Sequence, residues 1–240
     1  MAGSVKTEGI VLRSLRYGEA DRILHLYTPD RGRVGAIAKG VRRARSRFGG
    51  RLEPFFRLDL VLYQGRGELL TVTSAETVAA HPRLREDARA LDGAARACEA
   101  VARVFDDGDP HSGVYHLLGN QLALLDREPG RATRANALAF RLKLLLAAGF
   151  APQLAACAAC GDGEQVVGFS GAAGGVVCAT CEASAFALDQ EAHDFLVAAL
   201  GTPLAEVPDA SPRALAQAER AILETLEHHG QVRLRPVGRG

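Results

Sequence analysis

What this chain of 240 residues lacks narrows the field first. It has no run of roughly 18 apolar residues, which excludes a membrane-spanning helix. Its opening residues, MAGSVKTEGIVLRSLRYGEADR, hold no apolar stretch of the kind a secretory leader needs, so a cytoplasmic protein is expected. The nucleotide-cradling GxxxxGK[ST] loop, the GxGxxG turn, the HExxH pair and the GxSxG elbow are all missing. So is the HxE with PCxxC signature of zinc deaminases. No pair of carboxylates with a third partner offers itself for acid–base work, and a non-enzymatic protein is expected. Lysine occurs only at Lys6, Lys39 and Lys143, so nearly all positive charge is arginine.

What is present is a globular composition: 48% apolar and 24% charged residues, enough to build a core and too apolar for wholesale disorder. The formal net charge of +1 conceals an asymmetry. Residues 1–80 hold 14 Lys and Arg against 8 Asp and Glu, whereas the remainder holds 15 against 20. Within the first 80 residues, period-two patterns mark strands at Val5–Leu15, Ile23–Thr28, Arg33–Val41, Phe56–Tyr63 and Leu69–Ser74. Phe56, Leu58, Leu60 and Leu62 share one face of the fourth, and Gln64–Gly67 supplies a reversal. Five short strands without a long helix point to a barrel of oligonucleotide-binding (OB) type. From Pro82 the period becomes helical. Leu84, Leu91, Ala95, Cys98, Val101 and Phe105 form one stripe. Further helices are expected at Tyr115–Leu125, Arg134–Ala148, Asp189–Leu200 and Pro212–His229, the second of these with Leu138, Leu142, Leu145 and Leu146 on one face. Gly149 and Ser211-Pro212 are end signals. The fold class is thus α+β and multidomain. Residues 1–80 form the barrel, 81–150 and 187–232 a helical domain in two parts, 151–186 a cysteine-bearing insertion, and 233–240 a frayed tail. His228 and His229 are adjacent on the last helix and read as surface residues.

Two local patterns carry chemistry. Residues 31–51, RGRVGAIAKGVRRARSRFGGR, hold Arg31, Arg33, Lys39, Arg42, Arg43, Arg45, Arg47 and Arg51 and no acid. Such a set repels itself unless an anion is near, and guanidinium forks suit phosphate oxygens. The segment reads as a polyanion contact on a mobile connection, against the plainer reading of a solvated loop. Phe48 and Phe55 are the candidate base-stacking rings, Phe56 being assigned to the core. The second pattern is Cys157-x2-Cys160-x17-Cys178-x2-Cys181. Two residues between thiols let one turn aim both at a shared ion. Four sulfurs favour zinc, and a fully cysteine-ligated site is structural. Val166–Phe169 and Gly175–Val177 are the expected strands of the intervening hairpin. A redox CxxC is the competing reading, although the flanks lack the βαβ context it needs. Cys98 reads as a small core residue.

Several of these residues also resemble a known family. The runs Gly9-Ile-Val-Leu12, Tyr17-Gly-Glu-Ala-Asp21, Leu26-Tyr-Thr28, Gly32 and Ala38-Lys-Gly-Val-Arg42 are similar to the start of the bacterial DNA recombination and repair protein family RecO. Phe150 through Cys181, with Cys157, Cys160-Gly161, Phe169, Gly174-Gly175, Cys178 and Cys181, resembles the zinc-bearing form of that family. The resemblance implies an N-terminal OB-fold followed by a helical domain with a four-cysteine zinc-finger insertion holding one ion. It also implies a mediator that binds single- and double-stranded DNA, anneals complementary strands without ATP, and helps RecA load on DNA coated by single-strand-binding protein (SSB), together with RecR. The segment Lys39–Arg47 carries over as a DNA contact, and the basic run reads all eight cations of 31–51 as DNA-binding. Arg141 and Lys143 become contacts for the acidic SSB C-terminal tail. The location becomes the cytoplasm, in association with the nucleoid. An RNA-binding module that combines an OB barrel with a zinc ribbon is the alternative.

Overall fold

Alternating apolar and polar residues build five strands: β1 (Gly3–Tyr17), β2 (Asp21–Thr28), β3 (Gly32–Ala38), β4 (Arg57–Gln64) and β5 (Leu70–Ala79). They are seen in a computed structural model that describes residues 3–43, 46–163 and 166–237. The first half of β1 pairs with β4 and the second half with β2. β2 pairs with β3, β4 with β5, and β3 runs parallel to β5 through Ala36–Leu70 and Ile37–Thr71. The sheet closes in the order β1-β2-β3-β5-β4, the five-stranded OB barrel. One strand serves two neighbours because β1 is bulged between Val11 and Arg13. The extra residue explains why Ile10, Val11 and Leu12 are all buried where strict alternation would expose one.

Leu58, Leu60 and Leu62 of β4 fill the barrel beside Leu24, Leu26 and Val72, as the period-two pattern predicts. The β3–β4 connection adds Phe48 and Leu52, each only 1% exposed, to the same core. Its end is stitched to the bulge: the Phe55 amide donates to the Val11 carbonyl at 2.8 Å, and the Val11 amide donates to the Phe56 carbonyl at 2.9 Å. Phe55 takes a positive φ of 74° to do so. The connection therefore caps the barrel, which corrects its reading as a mobile loop. Phe48 and Phe55 are buried, so neither offers a ring to a base.

Helices α1 (Ala88–Val104) and α2 (Ser112–Arg127) pack on the barrel. Asp87 caps α1 by accepting from the amides of Arg89 and Ala90. The buried stripe of α1 is Ala90, Ala94, Ala97, Cys98 and Val101, while Leu91 and Ala95 face solvent. Small residues inside allow close approach, and a leucine-weighted stripe misreads that face by one position. Phe105 sets its ring edge-on to Tyr27 of β2, centroids 6.1 Å apart. Glu8 of β1 accepts from Arg57 of β4 at 2.6–2.7 Å and from the Tyr115 hydroxyl of α2 at 2.6 Å. Gly32, at φ +61°, lies against the backbone of Asp109, where no Cβ fits.

The second compact unit begins at Gly130, and α1 and α2 lie in the first unit with the barrel. It holds α3 (Arg134–Ala147), α4 (Gln190–Gly201) and α5 (Pro212–His229), capped by Thr133, Asp189 and Ser211. α3 ends in a Schellman turn: Gly149, at φ +80°, donates to Leu146, and Phe150 donates to Leu145. Leu146 is 53% exposed, contrary to the face assigned it from spacing. A three-stranded sheet, β6 (Val166–Ser170), β7 (Gly175–Cys178) and β8 (Phe186–Ala187), completes the unit. The expected frayed tail is docked over 233–237, with Leu234 and Val237 buried, while 238–240 lie outside the described residues. Among the described residues no helix is long and apolar enough to cross a membrane.

Two outcomes are expected. Phe48→Ala should lower unfolding free energy by about 3–5 kcal/mol in a denaturant titration, while Arg42→Ala leaves it unchanged. Hydrogen bonds from Tyr115 and Arg57 hold the Glu8 carboxyl below its ordinary range. That contribution to stability is complete above the unfolded-state value of 4.5 and fades as pH falls through the lower folded value. Glu8→Gln should therefore flatten the acid limb of a stability–pH curve.

Candidate metal centre and basic face

The four cysteines converge. Their Sγ atoms all lie within 4.8 Å of one another, and Cys160 and Cys178 are 3.7 Å apart. The first pair sits on a tight turn in which Gly161, at φ +82°, donates to the Cys157 carbonyl at 2.8 Å, and the Cys157 amide donates to the Asp162 carbonyl at 2.7 Å. Cys178 ends β7, and Cys181 lies in the 3-10 turn that follows, Ala179–Ser184. One backbone arrangement joins the halves. Gln153 exchanges hydrogen bonds with Gly174 and Val176, and the Ala158 amide donates to the Val176 carbonyl at 2.7 Å, so the approach to the first pair runs beside β7. Cys157 and Cys178 are buried with Val177, and Cys160 is exposed. Amides of Cys178 and Cys160 pull the Cys157 thiol down to about 6, while hydrogen bonds with the Cys160 and Cys178 sulfurs push Cys181 up to about 12. Sulfurs this close cannot all ionise without a cation between them, and the cluster can hold one metal ion.

The centre is tied to its helices. His229 of α5 donates Nε2–H to the Gly171 carbonyl at 2.7 Å, and His193 of α4 donates to the Leu154 carbonyl at 2.8 Å. Arg220 lies 4.1 Å over the Phe186 ring. His228 and His229 are both exposed, as their adjacency predicts, and spacing alone does not reveal the bond of His229 to a partner 58 residues away.

The basic residues divide into three groups. Lys39, Arg42, Arg43 and Arg47 are exposed around the barrel end where the β1–β2 turn holds the connection: the Gly40 amide donates to Asp21 and the Arg42 amide to the Ala20 carbonyl. Arg47 lies 4.8 Å over the Phe48 ring. Arg31 and Arg51 are half-buried, and Arg51 reaches the Arg47 carbonyl. Arg33 is diverted: it pairs with Asp107 at 2.5 Å and donates to the Ala102 carbonyl, so its charge serves the docking of α1 and not an outside phosphate. Arg45 lies outside the described residues.

Arg141 and Lys143 also part company. The Arg141 side chain is 5% exposed, lies beside Glu219 and donates to the Arg235 carbonyl, so it fixes the tail and is not a surface contact. Lys143 is half-buried and donates to the Leu200 carbonyl at 2.9 Å; burial lowers its ammonium from the ordinary value. Near it on α3 and α4 stand Leu146 and Val197, 53% and 47% exposed, which spacing alone places in the core or passes over.

These features define a class: an OB barrel carrying two helices of its own, followed by a helical unit with a four-cysteine centre. Residues 1–81 match the family model for the N-terminal part of recombination protein O, and residues 85–236 match that for its C-terminal part. The DNA repair protein RecO of Rubrobacter xylanophilus is 41% identical over 224 residues, covering 91% of this chain and 88% of the relative. That of Anaeromyxobacter sp. (strain K) is 38% identical over 239 residues, covering 94% and 91%. The chain belongs to the recombination protein O family.

A Cβ on Gly175 would collide with the Gln153 backbone, whereas one on Gly163 meets nothing within 4 Å. Gly175→Ala should lower both the melting temperature and the metal content of purified protein, and Gly163→Ala neither, read by calorimetry and elemental analysis.

Proposed function

We propose that this chain is a non-enzymatic mediator of DNA recombination and repair, acting in the cytoplasm on the nucleoid. It binds single- and double-stranded DNA through the barrel, anneals complementary strands without ATP, and with RecR helps RecA load on SSB-coated DNA. The observation that carries this is the placement of Lys39, Arg42, Arg43 and Arg47 on solvent around one barrel end, over the buried Phe48 and Leu52. Annealing is opposed by repulsion between two phosphate backbones. Cations fixed to a rigid cap lower that repulsion and release counterions, with no demand on base sequence. Arg31, Arg51 and Arg45 complete the contact, and Arg33 does not take part. The SSB tail, acidic and apolar, suits Lys143 flanked by Leu146 and Val197, and Arg141 acts only behind that surface.

The cysteine cluster is proposed to hold one structural zinc ion. Tetrahedral thiolates at about 2.3 Å from zinc lie roughly 3.8 Å apart, and the 3.7 Å between Cys160 and Cys178 fits. Four protein ligands leave no position for water, so the ion would serve only to fasten the Gln153–Cys160 segment to the β6–β7 hairpin.

The joint variant Lys39→Ala, Arg42→Ala, Arg43→Ala, Arg47→Ala should keep its melting temperature. It should lose about tenfold or more in affinity for single-stranded DNA near 0.1 M salt, show a salt slope shallower by up to about 3, and anneal strands more slowly. Unchanged annealing and slope would remove the basic end from the mechanism. Chelation of the metal should lower thermal stability first, with DNA binding at low temperature retained.

A further inference from the structure

With Phe48 and Phe55 buried, the aromatic rings most exposed on the barrel, among the described residues, are Tyr17, at 54%, and Tyr63, at 41%. They are not isolated. In register, Leu15 of β1 stands opposite Ile23 of β2, Ile23 opposite Ile37 of β3, Ile37 opposite Thr71 of β5, and Thr71 opposite Tyr63 of β4. Residues paired in this way share one face of a sheet. All five lie on the outer surface, half-buried or exposed, and make a mostly apolar row across all five strands. At about 4.8 Å per strand gap the row is roughly 19 Å long. Tyr17 rises at one end, two residues beyond Leu15, on the turn that holds Gly40 and Arg42. Leu69, 41% exposed, lies over Gly35 beside the row, where a Cβ would come within 2.7 Å of its Cδ2. Lys39 follows the Arg22–Ala38 pair directly, so the cationic end meets the row at its β1–β2–β3 side.

We infer that this row is a base-contacting band, with Tyr17 and Tyr63 stacking on the bases of a single strand whose phosphates lie on Lys39, Arg42 and Arg43. The inference rests on the reading of the basic end as a phosphate grip and adds what that grip cannot supply. Phosphate contacts are common to duplex and single strand, whereas a ring can stack only on a base whose face is free. The apolar strip beside a cationic border has the two chemistries of an unpaired strand in the right adjacency. A duplex hides its base faces and would use the border alone. The tyrosines thus set a preference for single strands over duplex.

The full chain is tested by fluorescence anisotropy on three probes of equal length, roughly 20 nucleotides: oligo-dT, an abasic strand and a duplex, each over a range of salt. Tyr17→Ala with Tyr63→Ala should weaken oligo-dT binding about tenfold or more, leave the abasic strand and duplex within about twofold, and keep the salt slope of the wild type. The paired Phe variants should bind as the wild type does. Equal weakening on all three probes, or none on oligo-dT, overturns the inference and leaves the phosphate grip standing. If the Ala variants bind DNA normally but change the protein's self-association in sedimentation, the band is a protein-docking face and the inference fails. If the wild type binds no probe at low salt, the phosphate reading fails as well.

Discussion

Cations crowded on a short connection repel one another and would spread that connection into solvent unless something beneath it were held. Here the holding is apolar. Phe48 and Leu52 enter the barrel core beside Leu58, Leu60 and Val72, and the Phe55 and Val11 amides close the seam. Burying a phenyl and an isobutyl group contributes a few kcal/mol, roughly 1.5–3 each, against a self-repulsion that water and salt screen within about 8–10 Å. The apolar term wins, and the connection that carries Arg42, Arg43 and Arg47 is anchored to the barrel through Phe48, Leu52 and the Phe55 and Arg42 amides. The β1 bulge belongs to the same device. It turns one long strand through the barrel and frees the Val11 backbone to receive the connection.

The second unit solves a related problem with opposite means. Its centre buries charge: Glu219 of α5 lies between Arg134 at 2.7 Å and Arg141 at 3.8 Å, and also accepts from the Val237 amide. A carboxylate so placed is tolerable only while its partners stay, since removing one leaves a buried charge without compensation. That makes residues 234–237 part of the fold. Directly around the sulfurs the apolar cluster is small, Val177 with Ala173 and Ala185, while Phe169 and Val176 of the hairpin are buried as well. Under the proposal, a metal held by the four sulfurs would add a cross-link between the cysteine turns and that hairpin.

Period-two and helical spacing were enough to find the five barrel strands and the helices, because each buries a face whose repeat is written locally. The CxxC pairs were legible for the same reason: the ligands lie close in sequence and the turn chemistry is fixed. What stayed hidden depends on distant partners. Arg33 reads as one cation among eight until Asp107 arrives from beyond the end of α1, 74 residues on. Arg141 reads as surface until Glu219 and Arg235 close over it. Phe48 and Phe55 look like stacking rings because nothing nearby says that their connection folds inward. The alternation that put Leu58, Leu60 and Leu62 inside also put Tyr63 outside, so one stacking candidate was present in the pattern. Recognising it needed the β4–β5 and β3–β5 registers, which no local repeat encodes.

A protein that stacks bases and also anneals strands faces a conflict, since a stacked base is withheld from its complement. The magnitudes settle it. A base on an aromatic ring gains about 1–3 kcal/mol, and each duplex step gains a mean near roughly 1.4 kcal/mol. Two rings can therefore hold a strand at two points but cannot compete with a growing duplex, whose gain accumulates step by step while theirs does not. The proposed phosphate contacts would survive the conversion, because both strands of the product still present phosphates to Lys39, Arg42 and Arg43. If the proposed contacts hold, the tyrosines would select an unpaired strand at the start, the first several base pairs would displace them, and the cationic border would keep hold of the product until salt or a competing strand removed it. A barrel with many stacking rings would trap single strands. One with none would not distinguish them from duplex, and a pair at the two ends of the row lies between those limits.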